Sequence, residues 1–172
     1  MFIFKVILGI CIIGITTYLG YLKSKKLHDR EYILREMIVF LNDIENEIKY
    51  NLSILPNAIE SARLRLTTSL KNVLGVISLE MVKCEDLDCV DKCIVENISK
   101  IEGLESYDKS VFISTLKNLG RSNVESQINI IQNTINVIKN LVNEANEIKL
   151  KSSKMYRTIG TISGLIIVVL FI

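Results

Sequence analysis

The chain has 172 residues, 49% of them hydrophobic and 23% charged, with a net charge of +2 and a mean hydropathy of +0.33. This composition excludes a disordered chain, a collagen-like chain and a disulfide-dense mini-protein, and the near-neutral balance argues against a nucleic-acid binder. High hydropathy with ordinary charge requires the apolar residues to be concentrated, and no Asp or Glu occurs before Asp29 or after Glu147.

Residues 1–22 form the first apolar end. Val6 to Leu22 is broken only by Thr16 and Thr17. As a helix it spans about 26 Å, near the lower limit for a bilayer core of ~30 Å. Lys23, Lys25 and Lys26 follow at once, and a small-x-small cleavage site is missing. A retained transmembrane helix is therefore expected, against the competing reading of a cleaved signal peptide.

Residues 158–172 form the second apolar end, about 22 Å of helix. Its length alone also fits a buried core helix. Against that, the run has no polar stripe beyond Thr and Ser, and Lys154, Tyr156 and Arg157 stand before it as interfacial anchors would. Gly160 and Gly164 make a small-xxx-small pair, and Gly20 sits in a comparable ridge with Thr16 and Ser24. Such ridges let membrane helices pack closely, although Gly is also simply common in them. Basic residues cluster inside both runs, with only Lys5 beyond. Positive residues stay cytoplasmic. The expected topology is a hairpin with both termini outward and residues 23–157 in the cytoplasm.

The middle, residues 23–157, has one Pro and few Gly. With no alternating pattern it reads as an all-α domain. A first helix is predicted over about Ser24–Tyr50, burying Leu34, Met37, Leu41, Ile44, Ile48 and Leu52. Arg35, Glu36, Asn42, Asp43, Asn46 and Lys49 then take its polar side. Ser53 is the expected cap of a second helix over Ile54–Leu66, with Pro56 in its first turn. A third helix is predicted over Ser69–Val82. Cys84, Cys89 and Cys93 follow with C-x4-C-x3-C spacing among acidic residues. Zinc would need a fourth ligand, and His28 is the only His. The expected reading is a solvated loop leading into a helix, with three weak metal-ligand candidates kept reduced by the cytoplasm.

A short helix is predicted over Cys89–Ile101, ending before Gly103. The next is capped by Ser106 or Asp108, carries Val111, Phe112, Thr115, Leu116 and Leu119, and ends at Gly120. Ser122 and Glu125 form a candidate capping box for the last helix. Its seam is Val124, Ile128, Ile131, Ile135, Ile138, Val142 and Ala145. That seam serves packing within the domain or a self-associating coiled coil and homo-oligomer.

No phosphate-binding Gly loop is present. Glu45 and Glu47 point about 200° apart on a helix and cannot share a catalytic site. A non-enzymatic protein without a cofactor is expected.

Three segments carry a resemblance. They are Ile44–Tyr50 followed by Ser53–Ala58, Leu119–Asn123 with Gln127, and Lys154–Gly160 running into Gly164 and an aliphatic end. In order, spacing and total length these resemble the stage III sporulation protein AB family of endospore-forming Firmicutes. Ile54 stands where the family has Pro, and Asn123 where Asp is usual. The resemblance implies a helical bundle similar to the cytoplasmic domain of the type II secretion and type IV pilus platform, flanked by two transmembrane helices. It implies a platform or scaffold subunit in the mother-cell membrane around the forespore, working in a secretion-like channel complex. Its partners there would be a secretion-type ATPase, membrane channel or ring subunits, and the lipid bilayer. The face of Glu45, Glu47 and Tyr50 is the candidate ATPase contact; the competing reading packs Tyr50 on the second helix. A membrane-anchored sensor or adaptor, with the Cys cluster as its ligand site, and a coiled-coil scaffold are the alternative functions.

Overall fold

A computed structural model describes the backbone of residues 2–84 and 86–171, and the side chains chiefly of residues 27–84 and 86–151. Among the described residues there are six helices and no strand. They are α1 (Phe2–Lys49), α2 (Leu55–Arg63), α3 (Ser69–Lys83), α4 (Leu87–Ser99), α5 (Ser106–Asn118) and α6 (Val124–Phe171). The chain divides into two compact units, Met1–Glu31 with Glu144–Ile172, and Tyr32–Asn143. Both α1 and α6 contribute residues to each unit.

Three helix starts, those of α3, α5 and α6, are explained by side chains that satisfy unpaired N–H groups. Thr68 caps α3, its hydroxyl accepting from Leu70 N. Glu105 and Asp108 close a reciprocal capping box on α5. Three expected caps are corrected. Glu105, not Ser106 or Asp108, is the cap residue of α5, with Asp108 as its partner in the box. Ile54, not Ser53, is the residue before α2, and it offers no side-chain bond; the Ser53 hydroxyl donates to Glu47 instead. For α6 the cap is Asn123, whose Oδ1 accepts from Ser126 N at 2.9 Å, not Ser122. Gly120 ends the α5 segment at φ +78°, as a left-handed residue after a helix should.

In the unit of Tyr32–Asn143, the core is aliphatic around one aromatic pair. Phe40 and Phe112 meet edge-to-face at 5.8 Å and are fully buried. Met37, Leu41, Ile59, Leu74, Ile94 and Ile131 are fully buried as well. Successive helices α2 to α5 pack on one another in chain order. Thr115 and Thr134 share a 2.9 Å hydroxyl bond that ties α5 to α6, and each also returns to its own helix backbone. The seam of α6 is buried from Ile131 to Ala145, but Val124 is exposed. Two first-helix expectations fail. Glu36 is only 8% exposed, and Leu52 is 75% exposed, because α1 ends at Lys49 and the chain turns at Leu52 with φ +50°.

In the other unit, Lys149 pairs with Glu31, and Arg30 lies 3.8 Å from Glu144. Both pairs join α1 to α6. Among the described residues no helix is long and apolar enough to cross a membrane. The side chains of Gly20's ridge partner Thr16 and of Lys23, Lys26, Lys154, Tyr156 and Arg157 lie outside the described residues, as does the packing of Gly20, Gly160 and Gly164. Lys25 is exposed.

Candidate functional site

The acidic residues of α1 turn out to be structural clasps. Positions 36, 43 and 47 fall within about 40° of one another on a helix, so one line of carboxylates runs along α1. Each grips the segment that includes α2. Glu36 accepts four hydrogen bonds from the α2–α3 turn: Thr67 N and Oγ1 at 2.7 Å each, Thr68 N at 3.1 Å and Thr68 Oγ1 at 2.5 Å. Burial pushes its carboxyl up, but the two hydroxyls and two amides together hold it below the usual carboxylate value. Asp43 Oδ1 meets Arg65 at 3.0 Å, and its other oxygen is buried without a hydrogen bond.

Glu47 organises the α1–α2 turn. It accepts from Asn51 Nδ2 at 3.0 Å, Ser53 Oγ at 2.8 Å and Ser61 Oγ at 3.1 Å. The Asn51 amide and the Ser53 hydroxyl are the leading causes of its lowered pKa. Its backbone oxygen also accepts from Ser53 N. Glu45 points elsewhere and accepts from Gln132 of α6 at 3.0 Å. The expected face of Glu45, Glu47 and Tyr50 is therefore not one surface. Tyr50 does not pack on α2 but is 70% exposed, with Lys49 Nζ 5.3 Å from its ring centre.

Beside Tyr50 lies an apolar tip. Leu52, Ile54 and Val124 line one cleft of about 290 Å³ where α1 ends, α2 begins and α6 begins. Gln127 braces its wall, accepting from Gly120 N and donating to Ser122 O. Sequence reasoning missed this tip because Leu52 continues the buried spacing of α1. The signal that could have found it is Asn51–Pro56, where Asn51, Ser53 and Pro56 interrupt the helical pattern before Leu52 and Ile54 can be buried by it.

The Cys cluster is corrected in one way. Cys89 and Cys93 stand on α4, as expected, although that helix begins two residues earlier, at Leu87. Cys84 and Cys89 are joined as a disulfide, where reduced thiols were expected. The reason is geometric: α3 ends at Lys83, and the short turn to α4 brings the two Cα atoms to 6.1 Å. Cys93 is free, and burial together with Glu80 and Glu96 pushes its thiol up. Among the described residues no group of three His, Cys, Asp or Glu side chains is placed to hold a metal ion.

Among the described residues the fold is all-α, with four short helices lying in chain order between two long ones. The family described as stage III sporulation protein AB matches residues 5–172, and the chain belongs to that family. Its role accordingly lies in stage III of sporulation. No curated protein and no solved structure matches it.

Proposed function

We propose that the protein is a non-enzymatic platform subunit of a secretion-like channel complex, set in the mother-cell membrane around the forespore. The observation that carries this reading is the family match over residues 5–172, which takes in both apolar ends as well as the helical middle. The apolar ends supply the two membrane helices, with Gly20, Gly160 and Gly164 as their close-packing positions. The basic clusters inside both ends favour a cytoplasmic middle. That placement lets a secretion-type ATPase reach the middle domain, while channel or ring subunits meet the membrane helices. The clasped carboxylates of α1 support a rigid docking body rather than a reacting centre. No cofactor has a part in this reading.

Two experiments test it. Reporters fused at both ends and within the middle read topology, and an active periplasm-type reporter in the middle refutes the orientation. Affinity purification of the full chain from sporulating cells, after mild crosslinking, is expected to retain the ATPase; its absence refutes the coupling. Gly164→Leu is expected to impair assembly and sporulation. A sensor reading draws on the Cys84–Cys89 bond beside Cys93. Normal sporulation after serine replacement of all three removes it.

A further inference from the structure

The buried seam of α6, from Ile131 to Ala145, gives this helix its place in the fold and leaves its other side bare. On that side stand Asn129, Asn133, Asn136, Asn140 and Asn143, all exposed. Their spacing is four, three, four and three residues, so they form a stripe about 80° wide and about 21 Å long. No charged residue interrupts it. Asn is a poor helix former, because its amide competes for the backbone. Elsewhere that competition is visible: Asn42, Asn97 and Asn118 each donate to the carbonyl one turn back. Among the described residues none of the five α6 amides makes a hydrogen bond, so their donors and acceptors stay open to an outside partner.

We infer that this asparagine ladder is the contact between two copies of the chain, pairing their α6 helices in parallel and in register. The inference goes beyond the platform reading and uses it only in setting both copies in one membrane, so that their α6 helices run the same way. Three observations select a second copy. First, the four-three spacing is that of the a and d positions of a coiled coil, which face a partner helix. Second, an amide carries both donor and acceptor, so a row of five is complementary to an identical row, as a two-fold contact requires. Paired asparagines in such a seam fix register rather than supply strength. Third, the flanks match in charge. With the ladder at a and d, Lys139 takes a g position and Glu144 the e position five residues on. On one helix these two lie about 140° apart and cannot meet, whereas in a parallel pair g of one copy meets e of the other. Lys139 has no ion-pair partner among the described residues. The Glu144 side chain is 55% exposed, with Arg30 at 3.8 Å. Val137, exposed at the preceding e position, adds apolar burial on each flank. An antiparallel pair centred on Asn136 would instead bring Glu125 against Glu147 at both ends. Glu147 holds the next position of the repeat, and its charge bounds the ladder.

The test introduces Asn129→Cys into the full chain, alone and with Asn143→Cys, and oxidises membranes of sporulating cells. Mass spectrometry then identifies the joined peptides. The expected bond joins position 129 to position 129 of the second copy, and in the double variant also 143 to 143. Asn136→Asp combined with Asn140→Asp sets like charges face to face and is expected to lower the yield about tenfold. Both positions are exposed, so helical content by circular dichroism should stay unchanged. Lys139→Glu, which opposes Glu144 of the other copy, is a second variant expected to lower the yield. Bonds only between 129 and 143, bonds only to other proteins, or no bond at all overturn the inference. So does a yield that both variants leave unchanged. Absence of the ATPase from the purified complex would leave the bonding pattern as it is, so the ladder and the ATPase coupling fail separately.

Discussion

Glu36→Gln probes the clasp between α1 and the α2–α3 turn. The wild-type carboxylate accepts four bonds, two of them from the Thr67 and Thr68 amides at the start of α3, where no helical carbonyl is available. The amide keeps one acceptor oxygen and turns an NH2 group toward hydroxyls and amides that also donate. About two charge-assisted bonds are lost, at ~1–1.5 kcal/mol each, giving a loss of about 2–3 kcal/mol. At ~4 °C per kcal/mol for a domain of this size, the melting temperature should fall by about 8–12 °C. Far-UV circular dichroism of the full chain in detergent measures it. The pH dependence supplies a second check. The Glu36 carboxyl is held below its usual value in the folded protein, so its stabilisation is complete above the unfolded carboxyl range near ~4.3 and is lost as pH falls through the lower folded value. The gap between wild type and variant should therefore close in acid. A variant that melts with the wild type at neutral pH, or a gap that persists unchanged in acid, refutes the clasp.

Phe112→Ala removes half of the buried edge-to-face pair with Phe40 and should cost about 3–5 kcal/mol, read by chemical denaturation. Arg65→Ala should cost under ~1 kcal/mol in the same assay, because the Arg65 end of its ion pair with Asp43 is largely exposed. With protein that has not been reduced, a maleimide should label Cys93 and leave Cys84 and Cys89 unlabelled until a dithiol is added. Since burial raises the Cys93 thiol, its labelling rate should still be climbing at pH values above ~8.5, the range of a free thiol. A rate that levels off below that range contradicts the environment described for Cys93.

The helices were legible because their apolar residues repeat at helical spacing and few breakers interrupt them. All five breaks in the middle fall where Pro, Gly, Thr–Ser or acidic turns stand. The caps were less legible, because two oxygen-bearing residues competed at each turn. Ser53 was an available cap, but Glu47, one and a half turns back on α1, took its hydroxyl. Ser122 and Asn123 could each open α6, and the shorter reach of Asn123 to Ser126 N prevailed. Glu36 reads as solvated from its type alone. Its burial depends on Thr67 and Thr68, which sit more than thirty residues away and come to it only through packing. Leu52 shows the opposite failure: its spacing places it in the core, but the helix that would bury it ends first. The Cys84–Cys89 bond was invisible because it follows from where α3 stops and α4 starts.

The clasp at Glu47 also bears on how genetic data for this chain would read. Its three side-chain acceptor bonds all go to Asn51, Ser53 and Ser61, the residues that set the shape of the turn carrying Leu52 and Ile54. A lesion at Glu47 would therefore loosen that turn while the protein is still made and still helical. Second-site suppressors of such a lesion are expected within this chain, at the residues that the Glu47 carboxylate holds.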